Sequence, residues 1–184
     1  MQMNTTKKIT TSALMIAPAT VLMWVSKLIP APWLQGGSVT LASMVPIIVV
    51  SILFGTKWGL CASLAYSLIQ MMFGFYPPPT QTLLNFVLVI LFDYVFAFGV
   101  LGLAGIFYTL SGKKAFSAAF SGFVVTCLRY ICHIISGILI WGVYAKEGQT
   151  VIAYSLIYNG TYMIPEIIIT TLVLALIFKL NKFQ

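Results

Sequence analysis

Acidic residues are almost absent from this chain. Asp93, Glu147 and Glu166 are the only three in 184 positions, and His133 is the only histidine. Charged residues make up 7% of the sequence and hydrophobic residues 60%, with a mean hydropathy of +1.03. About a quarter of a soluble domain is charged, so this scarcity excludes a water-soluble fold and indicates an integral membrane protein. No paired-acid, GxSxG or HExxH motif occurs, and the Walker A loop is also missing, so nucleotide hydrolysis by that route is excluded. The three cysteines, Cys61, Cys127 and Cys132, lie in apolar stretches without CxxC spacing, which reads as packing rather than disulfides or metal ligands. No metal, cofactor or catalytic residue is expected. The net charge of +7 does not indicate nucleic acid, because the basic residues sit at the ends of apolar segments and form no stripe.

What is abundant is apolar sequence in long runs. A spanning helix needs about 20 mostly apolar residues, and cutting at polar and Pro/Gly punctuation gives six candidates near 10–28, 38–54, 58–75, 82–109, 115–143 and 151–180. The first run follows two lysines like a signal peptide, but it is about as long as a span and lacks a convincing small-residue cleavage site. It is read as the first helix. The expected fold is therefore an all-α integral membrane protein: six transmembrane helices in one compact domain over 1–184, with short connections and no soluble appendage. Lys7, Lys8, Lys57, Lys113, Lys114, Lys179 and Lys182 fall on one side if the termini share it. The positive-inside rule makes that side cytoplasmic, with both termini there and the connections at 29–37, 76–81 and 144–150 facing outward.

Ionisable residues at membrane depth are costly and mark functional sites, which directs attention to Asp93 and His133. Asp93 lies eleven residues into the fourth run, roughly 16 Å below the outer end at about 1.5 Å per residue. His133 lies about ten residues below the outer end of the fifth, roughly 15 Å by the same measure. Arg129, His133, Ser136/Gly137 and Trp141 recur at helical spacing on one face. Trp33 sits in the first outer connection, Tyr94 is next to Asp93, and Tyr154, Tyr158 and Asn159 stand near the outer start of the sixth run. Trp and Tyr also collect at membrane interfaces, and a lone His can simply join helices. Convergence from four segments favours a ligand pocket. Two buried acids, Asp93 and Glu166, against one buried base, Arg129, leave room for a cation, which aromatic faces also attract.

Four segments carry a family resemblance: QGGSVTLASMVPI (35–47), FDYVFAFGVLGLAGIF (92–107), RYICHIISGILIWGVYAKEG (129–148) and YSLIYNGTYMIPE (154–166). Together they resemble the thiamine-specific S components (ThiT/YuaJ family) of energy-coupling factor transporters, over nearly the whole chain. The resemblance implies high-affinity thiamine capture near the extracellular side of a bacterial plasma membrane, for ATP-driven uptake. It implies that Trp33 covers the ligand, that Asp93 with neighbouring Tyr94 is the acidic ligand-binding position, and that His133 and Trp141 pack against the thiamine rings. Tyr154 and Asn159 would hydrogen-bond the ligand. The family position matching Asp93 is often Glu, so Asp keeps the charge on a side chain one methylene shorter.

The same resemblance assigns the partners. Ala13 and Ala17, four apart on one helix face, permit close helix approach. They correspond to a first-helix motif that contacts the transmembrane coupling subunit, which works with two cytoplasmic ATPases. The loaded S component is then expected to topple within the bilayer and release thiamine toward the cytoplasm. Thiamine suits the residues, with a fixed positive charge on its thiazolium and a donor–acceptor edge on its aminopyrimidine. Two other readings stay open: an S component for another small cationic or aromatic vitamin precursor, and an intramembrane acid/base enzyme or pore using His133 and Asp93.

Overall fold

The computed structural model describes residues 4–28 and 36–180, and Trp33 and Lys182 lie outside those residues. The described residues form helices and no strand. Helix α1 (Thr5–Ser26) begins where the Asn4 side chain accepts from the Lys7 amide at 2.9 Å, a conventional N-cap. Helix α2 (Val45–Phe54) follows, and α3 (Thr56–Gly74) is separated from it by Gly55, whose φ of +86° lets the chain turn without strain. Helix α4 runs over Leu83–Leu110, α5 over Ala115–Leu139 and α6 over Val151–Leu180. Helices Thr5–Ser26, Leu83–Leu110, Phe116–Leu139 and Val151–Leu180 are long and apolar enough to cross a membrane.

The second expected span, 38–54, is helical only from Val45, and its ten helical residues rise about 15 Å. That is half a hydrocarbon core of about 30 Å. Pro46 fixes the reason, since proline is tolerated in the first helical turn and clashes further in. Residues 37–40 ahead of it form no regular structure, and Ala42 has a φ of +62°. Helix α3 has 19 residues but includes Lys57 and Gln70, which lowers its apolar character. The expected fifth span, 115–143, also divides: the α-helix stops at Leu139 and a 3-10 turn continues over Trp141–Tyr144. Helix α6 passes through Pro165 without a break.

Small residues hold the bundle together, as expected where lipid removes the hydrophobic drive between helices. A Cβ on Gly102 would stand 2.5 Å from the Leu60 amide nitrogen, so α3 and α4 touch backbone to backbone. Ser51 of α2 locks into the same junction, donating to the Gly102 carbonyl at 2.6 Å and accepting from the Gly105 amide at 2.9 Å. Between α5 and α6 the joints are polar: Tyr130 donates to the Leu156 carbonyl at 2.7 Å and Ser155 to the Ile134 carbonyl at 2.8 Å. Ile47, Ile48, Tyr66, Leu101 and Leu174 are fully buried at the centre.

Candidate functional site

The fourth helix changes pitch where it meets the polar residues. Ile90–Phe96 is a π-helical stretch, a departure that is rare and concentrated at functional sites. Its extra residue per turn directs Asp93 toward α5. The Oδ1 of Asp93 lies 3.0 Å from Nδ1 of His133, and Oδ2 accepts from the Ser136 hydroxyl at 2.6 Å and from Trp141 Nε1 at 3.2 Å. Trp141 Nε1 also donates to Ser136 Oγ at 3.1 Å, closing a small network. The 3-10 turn after Leu139 makes this possible by bringing Trp141 back beside Ser136, five residues earlier.

This network fixes proton positions. A carboxylate can only accept, so His133 Nδ1 carries a hydrogen toward Asp93. In the neutral ring, Nε2 is then an acceptor, and it has no partner among the described residues. Ser136 commits its single hydrogen to Asp93 rather than to the imidazole. A nucleophilic triad needs the opposite, with serine donating to histidine, so this arrangement does not activate the Ser136 hydroxyl.

Asn159 of α6 supports the other side of His133. Its Nδ2 donates to the His133 carbonyl at 3.1 Å and to the Ser155 carbonyl at 2.9 Å, and its Oδ1 accepts from the Tyr162 hydroxyl. Tyr154 stacks on Tyr158 with centroids 5.6 Å apart, and its own hydroxyl has no partner among the described residues. Tyr94 is differently employed: its hydroxyl donates to the Gly74 carbonyl and accepts from the Tyr76 amide, both at 2.9 Å. It thereby pins the connection after α3, which brings the Tyr76 ring to 5.5 Å from that of Trp141.

One cavity is lined by Asp93, Tyr94, His133, Trp141, Tyr154 and Asn159 together. Six of the seven ligand-binding residues expected from sequence thus share it, and the seventh, Trp33, lies outside the described residues. Ala13 and Ala17 are elsewhere, exposed along an apolar groove between α1 and α3 that also includes Ile16, Trp24 and Phe73.

The cavity also includes residues not expected to bind ligand. Gln70 of α3 and Tyr76 form part of its wall, and Gly36, Gly37 and Ser38 contribute backbone from the chain ahead of α2. Tyr158, already among the converging aromatic residues, and Tyr162 follow Tyr154 at helical steps of four, a repeat that could have extended the site to Tyr162 from sequence alone. Gln70, a lone amide in an apolar helix, was the other available signal. Tyr76 gave none, because FGFYPPPT reads as an outer turn.

Arg129 also lines the cavity, with its guanidinium 3.8 Å from the Phe98 ring centroid. Its Nε and Nη1 have no hydrogen-bond partner among the described residues. It forms no ion pair with Asp93 or Glu166 there; Asp93 is held instead by His133, Ser136 and Trp141. Glu166, 2% exposed, accepts from the Thr40 amide instead.

Comparison with known proteins gives concordant results. The family described as Thiamine transporter protein (Thia_YuaJ) matches residues 9–183. The thiamine transporter ThiT of Bacillus subtilis (strain 168) is 38% identical over 178 residues, covering 90% of this chain and 87% of that protein. A thiamine transporter ThiT of Lacticaseibacillus paracasei is 33% identical over 94 residues, covering 46% of this chain and 47% of that protein. A solved structure of ThiT from Listeria monocytogenes superposes with a TM-score of 0.73 over 95% of this chain and 94% of that chain. At 20% identity, that last match establishes a shared fold.

Proposed function

The chain belongs to the thiamine transporter protein family Thia_YuaJ, and from that membership we propose that it captures thiamine in the Asp93–His133 cavity for an energy-coupling factor transporter. It is a multi-pass membrane protein and a component of thiamine uptake. The finer reading is a bacterial plasma-membrane S component with six spans, both termini cytoplasmic and the pocket near the outer face. Lys7, Lys8, Lys57, Lys113, Lys114 and Lys179 on one side support that orientation.

The observation that carries the reading is the Asp93 carboxylate, held by three donors and surrounded by the rings of Trp141, Tyr76 and Tyr94. Removing a charge from water is costly unless it is compensated, and a thiazolium cation supplies the compensation through Asp93 and the aromatic faces. His133 Nε2 then accepts from the exocyclic amine of the aminopyrimidine, and the Tyr154 hydroxyl, which has no partner among the described residues, meets a ring nitrogen. A buried group matched in this way discriminates strongly, because a ligand lacking the complement leaves it unpaired. Capture and release leave the ligand chemically unchanged.

ATP hydrolysis belongs to two cytoplasmic partner subunits, reached through a transmembrane coupling subunit that docks on α1. The exposed pair Ala13 and Ala17 in their apolar groove supports this contact. The test is quenching of tryptophan fluorescence when thiamine is titrated into the purified protein. Saturable quenching that weakens in His133→Ala and Trp141→Ala supports the site, and unchanged affinity in both variants refutes it.

A further inference from the structure

We propose that Glu166 is a positioning residue for this binding site: its carboxylate fixes the register of the non-helical chain 36–40 on α6, and so holds Gly36–Ser38 as a cavity wall. The inference deepens the thiamine reading, on which it rests for the role of the cavity.

Non-helical backbone inside a membrane protein must find partners for its amides and carbonyls within the protein. Residues 36–40 find them along one face of α6. The Gly36 carbonyl accepts from the Tyr158 hydroxyl at 2.7 Å, and the Thr40 amide donates to Glu166. Between these points Gly37 lies against the Tyr162 ring, where a Cβ would stand 2.5 Å from Cε1. Positions 158, 162 and 166 are consecutive steps of four on α6. Eight helical residues rise about 12 Å, and the segment follows that rise with a fixed contact at each end, the Gly36 carbonyl on Tyr158 and the Thr40 amide on Glu166.

A shift of one residue would break both contacts. A shift in one direction would bring Ser38 over Tyr162, where a Cβ collides with the ring, and a shift in either direction would move the Thr40 amide away from its acceptor. The φ of Gly37, +95°, reinforces this placement. The lower end is fastened further, with the Leu41 amide donating to Ser26 Oγ at 2.8 Å and Ser43 Oγ donating to Thr40 Oγ1 at 2.7 Å. Glu166 has no carboxylate–guanidinium contact with Arg129 among the described residues, so its acceptor role toward the segment is the direct contact it makes.

The test uses full-length protein in membranes, with Cys61, Cys127 and Cys132 replaced by alanine and a reporter thiol introduced by Ser38→Cys. The readout is the rate of labelling by a water-soluble methanethiosulfonate without thiamine. Glu166→Ala is expected to raise this rate at least tenfold, and Glu166→Gln less than threefold, because its amide oxygen still accepts from Thr40. Gly37→Ala, which forces the segment off the Tyr162 ring between the two anchors, is expected to raise the rate like Glu166→Ala. An unchanged rate in Glu166→Ala overturns the proposal, as does an equal rise in Glu166→Gln. With thiamine bound, the same order should appear in dissociation rates: tenfold faster for Glu166→Ala and little changed for Glu166→Gln. A parent protein that does not bind thiamine would refute the functional reading while leaving the ligand-free labelling result decisive for Glu166.

Discussion

Replacing Asp93 by Asn removes one charge at nearly constant shape and has a consequence one residue away. Ser136 and Trp141 both donate toward Oδ2, so the amide oxygen must occupy that position. The new amide nitrogen then faces His133 Nδ1 and donates to it. The imidazole responds by moving its proton to Nε2, which changes from acceptor to donor. The substitution therefore deletes the cation's counter-charge and reverses the polarity offered to the pyrimidine amine. At a separation of about 5 Å and an effective dielectric of about 20, the lost charge interaction is about 3 kcal/mol. Facing two donors costs roughly 1–3 kcal/mol more. Together these weaken thiamine binding roughly 10³- to 10⁴-fold. Fluorescence or calorimetric titration reads this directly, with a neutral thiophene isostere of thiamine as the second ligand. The isostere should lose only the polarity part, about 5- to 150-fold. An Asp93→Asn protein within threefold of the parent for thiamine, or equal losses for both ligands, would refute the reasoning.

Trp141→Phe keeps a ring beside Tyr76 but removes the Nε1 donor shared by Asp93 and Ser136, and should weaken thiamine about 5- to 30-fold in the same titration. Ala13→Trp with Ala17→Trp fills the exposed face of α1; titration should show unchanged binding, and radiolabelled thiamine uptake by cells should be abolished. Gly137→Ala places a methyl against Ser155 and Asn159 where α5 meets α6. It should destabilise the protein by about 1–3 kcal/mol, seen as a lower midpoint in a thermal unfolding scan of the detergent-solubilised protein.

Depth counting brought Asp93 and His133 to the same level, and their side chains lie 3.0 Å apart. It worked because helical rise is constant and both residues were counted from apolar runs with well-marked outer ends. Helical periodicity placed Trp141 on the face of His133 by assuming one continuous helix. Its indole reaches Asp93 through a break at Ile140 and a 3-10 turn. The π-helical stretch around Asp93 had no sequence signal, since a local change of pitch needs no special residue type. The second run was misjudged for a similar reason: 38–44 is apolar enough to resemble a helix, yet its backbone bends and turns, with Ala42 at a φ of +62°, and its Thr40 and Leu41 amides are held by Glu166 and Ser26 from other helices. Counting two acids against one base left one acid without a protein partner, whereas Asp93 is held by His133, Ser136 and Trp141. It could not anticipate that Arg129 would rest on Phe98 and Glu166 on a backbone amide.

The most direct test of thiamine capture is to titrate thiamine into the purified protein, then identify and quantify the bound molecule by mass spectrometry after incubation and denaturation. The account predicts saturable binding and recovery of unmodified thiamine at one molecule per chain. A converted product, a different molecule retained in preference to thiamine, or no saturable binding would contradict it.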